Sequence, residues 1–473
     1  MVIMSGYRCP KLLAHLQLTI EIFMKRVWII LSLTILMSGC GNESGFNEQD
    51  LRIPSGFVRV VHAMPDGPRL VTQIQAQRLP SLNFGESTPY QSTIPEIERK
   101  LEISFFNGSD ETIVATQTIN VPNGHLFTII IAGTMATPEI ITFTNEQPVS
   151  TDDISIQIFN GSVGTSASYD FFLTRGNESL TMPTTQLSSL QLSENYSVAA
   201  GSNYRLQFSG TGNSEIIWNS GLFEIDEASS NPLFLLLDNF GASSEAVNLI
   251  GYDNQKIVFP EDSTISAIRV AHMMADTDPL DIYVEGVLVG ENISFQQIGS
   301  IKEVTPGNKT FSATITGNPE DIILQETLDI SAGNFHTVAL INSIEEPLAV
   351  INTDSFRRIP QAITLTISNY STIAPDINIF VLERGQDPSD SFPLTQQSFG
   401  QTTINVLPEN NYELLVYNRL TNALVAGPLT LAAAGNTLYK IYIIDQTDSG
   451  QSIDLLLGDD LDPPFEPRSA STE

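Results

Sequence analysis

The chain has 473 residues, with 22 Lys plus Arg against 54 Asp plus Glu and a formal net charge of −32. That balance excludes binding to nucleic acid through the phosphate backbone, which needs a basic face, and 41% apolar residues exclude a chain disordered throughout. Two Cys, five His and two Trp exclude a disulfide framework and a Cys-rich zinc site, and leave little for a histidine metal centre or an aromatic sugar platform.

The first element in chain order is an apolar run, Val27 to Met37, preceded by Lys25 and Arg26. It is too short to cross a bilayer as a helix, which takes about 20 residues. A basic pair, a short apolar core and then small residues is the layout of an export signal. The run ends in Leu36-Met37-Ser38-Gly39-Cys40, which resembles the lipobox of bacterial lipoproteins, with Met37 where that family usually has Leu. The resemblance implies acylation at Cys40, palmitate included, and attachment to a membrane; several acyl chains make such attachment effectively permanent. Gly41 in place of an Asp favours the outer membrane where a cell has one. Met24-Lys25-Arg26 is itself a suitable start, so residues 1–23 read as a gene-model extension, 24–39 as the signal peptide and 40–55 as a polar tether.

Similar strands then recur at intervals of about 100 residues, a domain repeat rather than a solenoid period. The openings are Phe57 to His62, Ile154 to Phe159, Ala267 to His272 and Ile363 to Ser368. A second strand opening on Asp follows in three of the four, at Asp170, Asp281 and Asp376; the first repeat has only Leu70 to Ile74 there. Short alternating runs rich in Val, Ile, Thr and Phe, punctuated by Gly, Pro and Asn, predict antiparallel strands. Six or seven strands per repeat suit an immunoglobulin-like sandwich. The expected fold is all-β: four tandem immunoglobulin-like β-sandwich units at 56–149, 150–262, 263–358 and 359–461, arranged as a duplicated pair, with a polar tail at 462–473.

Phe57-Val58-Arg59-Val60-Val61-His62-Ala63-Met64-Pro65-Asp66 resembles the opening of the bacterial domain-of-unknown-function family 4397. So does Ile268 to Asp276, continuing into Pro279 to Gly286, and Phe84-Gly85, Phe295, Gly124 to Thr128 and Gly333 to Thr337 fit its later stretches. The match covers the first and third repeats well and the others by pattern only. The first repeat departs at Arg69 to Gln73, where the second Asp strand is lost. The resemblance implies a fold and an exported, envelope location, and it carries no catalytic residues.

His62 with Asp66, and His272 with Asp276, are the candidate ligand-binding residues, each pair closing a first strand. The alternative is a ring whose nitrogens bind the following turn. His125 and His336 are offset by two residues between repeats, which argues against a shared two-histidine site. Ca²⁺, which wants six to eight oxygens, has candidate ligands in Asp276, Asp278 and Asp281, and in Asp459, Asp460 and Asp462; otherwise no cofactor is implied. No Gly-x-Ser-x-Gly elbow and no phosphate-cradling glycine loop occurs. Three functions are weighed. The leading one is a non-enzymatic, lipid-anchored envelope protein. It presents a row of mutually repelling sandwiches for binding, adhesion or scaffolding, and its partner is an envelope or extracellular protein or glycan. The second is a ligand- or cation-binding receptor using the turns near His62 and His272. The third is an enzyme.

Overall fold

The computed structural model describes residues 55–107, 110–146, 153–163, 168–176, 178, 183–225, 232–242, 245–250, 256–259, 266–432, 434–446 and 452–458. The signal peptide, Cys40, Asp459, Asp460 and Asp462 lie outside them. The fold is all-β: eight sheets pair into four sandwiches, and the one helical turn among the described residues is a 3-10 turn at Pro388–Asp390.

The first sandwich shows the plan. Its strands are β1 (Gly56–His62), β2 (Leu70–Ile74), β3 (Gln77–Arg78), β4 (Gln91–Thr93), β5 (Arg99–Asn107), β6 (Asp110–Ile119), β7 (His125–Gly133) and β8 (Pro138–Glu146). One sheet runs β4-β1-β7-β8 and the other β3-β2-β5-β6. Val58, Val60, Ile129 and Ile131 of the first face Leu70, Ile74, Leu101 and Ile103 of the second, which is the alternation a two-layer core demands. The third and fourth sandwiches repeat the plan. In the second, Glu245–Ile250 takes the place of β8 and the sheet carries one further strand beyond it, Lys256–Phe259.

Each sandwich holds eight or more strands rather than six or seven, and one pairing is not antiparallel. The opening strand lies parallel to the late central strand in all four, Phe57 beside Leu126, Leu233 beside Gln157, Ala267 beside Phe335 and Ile363 beside Thr437. Parallel neighbours need a long crossover; here five intervening strands provide it in the first sandwich.

The parallel central strands are buried on both faces. All seven residues of Ser266–His272 are buried, as are eight of nine in β7. One face enters the strand's own core. The other packs on the neighbouring sandwich: Val61, Ala63, Ile130 and Ala132 meet Phe159, Leu233, Leu235 and Leu237, and Ala271, Ala339 and Ile341 meet Tyr370, Tyr442 and Ile444. The sandwiches therefore associate as first with second and third with fourth. Ala242, Ala267, Phe335, Phe356 and Leu438 join the two halves. This corrects the expectation of a row of repelling modules. Most charged side chains stay exposed, whereas the surfaces that meet are mainly apolar apart from the buried Arg59, Arg269, Asp354 and Lys440, and burying one aliphatic side chain contributes about 1.5–3 kcal/mol.

Candidate functional site

His62 ends β1 and is fully buried. Its Nδ1 accepts from the Met64 amide at 3.2 Å, and its Nε2 lies 2.9 Å from the Pro68 carbonyl. A carbonyl only accepts, so Nε2 carries the proton and the ring is neutral. Burial, with the Arg357 guanidinium beside it, lowers its pKa to about 3. Gly67 closes over the ring: a Cβ there would stand 2.8 Å from His62 Cε1. Asp66 does not bond His62; its Oδ1 accepts from the Met135 amide of the β7–β8 hairpin at 2.9 Å. From the segment joining the third and fourth sandwiches, Arg357 donates to the carbonyls of Pro65, at 2.7 Å, and Gly67. It also covers the Phe84 ring at 4.8 Å.

The third sandwich repeats this turn. His272 is buried, its Nδ1 accepts from the Met274 amide at 3.3 Å, and burial lowers its pKa against the opposing pull of the Asp278 backbone. Asp276 accepts from the Ile344 amide at 3.2 Å, again in the following hairpin. In the second and fourth sandwiches Asn takes the histidine's place. Asn160 and Asn369 accept from Ser162 and Ser371 amides at 3.2 Å each, and Asn369 Nδ2 donates to the Ala374 and Pro375 carbonyls. There the acidic tie is reversed: Asp238 and Asp445, at the ends of late central strands, accept from the turn residues Ser162 and Ser371. The structure thus brings each His–Asp pair to one turn, where both His62 nitrogens and both Asp carboxylates hold backbone.

The other candidates are also placed by their hydrogen bonds. Asp281 accepts from Asn292 and Gly317 amides and from Thr316 Oγ1, which lowers its pKa despite desolvation. Asp170 similarly holds the Gly212 amide at 2.9 Å. Asp276, Asp278 and Asp281 are not gathered, and among the described residues no group of three His, Cys, Asp or Glu side chains is placed to hold a metal ion. His125 Nδ1 lies 2.8 Å from the Asn123 carbonyl. His336, buried on a different strand position, meets Ser331 and Thr353 hydroxyls at 3.2 Å each.

Sequence reasoning missed two features. The first is a buried ionic cluster between the third and fourth sandwiches. Asp354 is paired with Lys440 and lies 3.8 Å from Arg269. Thr337 donates to Asp354 and accepts from Arg269 Nε at 2.9 Å and Lys440 Nζ at 3.0 Å. Burial, with Arg269 adding repulsion, lowers the Lys440 pKa to about 8 despite the attraction of Asp354. Between the first two sandwiches, Arg59 donates to Thr128 at 3.1 Å and Asn145 donates to Gln157 at 3.1 Å. The available signal was an Arg in the middle of each valine-rich opening strand. The second feature is a groove of about 600 Å³ between the first and fourth sandwiches, with Arg69, Arg78 and Leu79 on one wall and Ile404–Pro408 on the other.

Fold and site together define a class: an all-β multi-sandwich protein in two duplicated halves, whose recurring polar residues fasten turns and interfaces. Two stretches of the chain, residues 56–169 and 266–380, match the domain of unknown function DUF4397. No curated protein matches the sequence. Among solved structures, the Bacillus anthracis TIE protein is similar over 83% of this chain and 69% of its own, at 11% identity and a TM-score of 0.15.

Proposed function

We propose that this is a non-enzymatic lipoprotein of the cell envelope, anchored through acyl chains on Cys40, in the outer membrane where the cell has one. Its sandwiches present loops and sheet edges to an envelope or extracellular protein or glycan, for binding, adhesion or scaffolding. The observation that carries the anchoring is the sequence Lys25-Arg26, an apolar run, and then Leu36 to Cys40. An exported chain whose one remaining Cys stands there has a use for that sulfur in lipid attachment. The non-enzymatic reading is supported by the chemistry of the candidate residues. His62, Asp66, Asp276 and Asp281 are occupied in holding backbone, and a general acid or base needs a free proton-transfer position facing substrate.

Labelling cells with a palmitate analogue tests the anchor. Label and membrane fractionation are expected in the wild type and lost in Cys40→Ala; equal labelling, or an unlabelled wild type, overturns it. Crosslinking on intact cells then tests binding, with an envelope or extracellular neighbour as the expected product.

A further inference from the structure

We propose that the groove between the first and fourth sandwiches receives an extended acidic peptide segment of a partner protein. The segment adds as a strand to the edge Thr402–Pro408 and sets its carboxylates against Arg69 and Arg78. This rests on the reading of the chain as a binding protein and names the site and the partner's chemistry.

Three observations converge on it. The first is the edge itself. Among the described residues Thr402–Pro408 pairs only with Ala362–Asn369 and is the outermost strand of its sheet. Its five consecutive residues Ile404 to Pro408 all line the groove. Successive side chains of a strand point to opposite faces, so a consecutive run lines a groove when the strand turns its edge, with its outward N–H and C=O groups, toward it. Sheet edges are ordinarily blunted by charges, a mid-strand Pro or a bulge. This one has no charged residue, carries Pro only at its last position, and stays in unbroken register over all seven residues. Such an edge is a template for strand addition.

The second is side-chain chemistry. Ile404 and Val406 are 57% and 48% exposed and lie two residues apart, on one face of the strand. They match the alternate apolar side chains of an added strand.

The third is charge. In a chain of net charge −32, among the described residues no Asp or Glu lines this groove, and two Arg do. Arg78 is held over the Phe106 ring at 5.2 Å and lies 4.0 Å from Glu111, yet its side chain keeps 51% of its exposure. Arg69 is exposed as well. The acidic surface elsewhere repels an acidic segment and leaves this groove as its favourable landing place. The volume falls within the range of ordinary ligand pockets.

The test displays random octapeptides to the full chain and synthesises the consensus. Enriched peptides are expected to combine alternate β-branched residues with Asp or Glu. The consensus peptide should bind at least about tenfold more weakly to the Arg69→Ser, Arg78→Ser double variant, whose two residues are exposed and outside the cores. It should also weaken as salt rises. A consensus peptide N-methylated at alternate backbone positions should lose binding, because it cannot complete a ladder. No enrichment, binding indifferent to the two arginines, or a methylated peptide that binds as well as its parent overturns the proposal. A chain that is lipidated at Cys40 and crosslinks to envelope partners while the peptides fail overturns the groove alone and leaves the anchored binding protein standing.

Discussion

At the scale of single residues, four strand ends solve one problem with two chemistries. A strand that stops and bends leaves backbone groups without ladder partners, and buried ones must find others. His62 and His272 supply an acceptor from Nδ1, and Asn160 and Asn369 do so from a carboxamide. The imidazole version has a pH consequence. The folded pKa of His62 is lowered to about 3, below the value of about 6.5 in an unfolded chain. Above pH 6.5 neither state is protonated and the stability is fully present. As the pH falls from 6.5 towards 3 the unfolded chain takes up a proton that the folded one refuses, at about 1.4 kcal/mol per pH unit. Urea unfolding of wild type and His62→Asn at pH 7.5 and 4.5 checks this. The wild type should lose more stability than the variant over that interval, and equal losses would mean that His62 is not held neutral. That the His62 ring holds the turn after its strand was legible in the sequence as the alternative to a ligand-binding pair with Asp66, because ring and turn lie within one short stretch. The Asn equivalents were not, since their shared role shows only in the hydrogen bonds.

At the scale of elements, the strands beside the parallel pairing explain why alternation was an incomplete guide. His125–Gly133 and Leu233–Asp238 are nearly continuous apolar runs, the pattern of a strand covered on both faces. The outer cover comes from another sandwich, which no local window contains. The same distance hid the ionic cluster, whose contacts to Lys440 span 86 and 103 residues of chain. Its strands carry two cations against one carboxylate, so removing either sign has a different cost. Asp354→Asn strands Arg269 and Lys440 and is expected to destabilise by about 3–5 kcal/mol. Lys440→Met leaves Arg269 with Asp354 and is expected to cost far less. Lys440 also titrates with a definite sign. Its folded pKa is lowered to about 8, so between pH 8 and about 10.4 the unfolded chain holds a proton that the folded one releases, and stability rises with pH there. Chemical denaturation across that range should show a rise in the wild type that is missing in Lys440→Met.

At the scale of the molecule, the apolar contacts make the pair of sandwiches the expected cooperative piece. Each family match runs past one sandwich into the next, ending at Tyr169 and within Asp376–Glu383. Alone, the first sandwich would expose Val61, Ala63, Ile130 and Ala132, which the second covers, and contiguous apolar surface of that kind drives association. Residues 55–259 are therefore expected to give a monomer with one cooperative unfolding transition, and residues 55–146 a species that self-associates and binds a hydrophobic dye. A monomeric, dye-free 55–146 would show that the interface is dispensable. Arg357 extends the same logic between halves, since its guanidinium fastens the turn that carries Asp66.

The amino-acid sequence alone determined the all-β class, the recurrence of similar units, the opening strands and the turn residues, because each depends on side-chain period and turn chemistry within a few residues. Only the tertiary structure decided which strands run parallel, which faces are covered twice, that like-charged units nonetheless pair, and where an unprotected edge meets two arginines. Those outcomes depend on contacts between residues far apart in the chain, where apolar burial at a few faces outweighs a repulsion that solvent and salt screen.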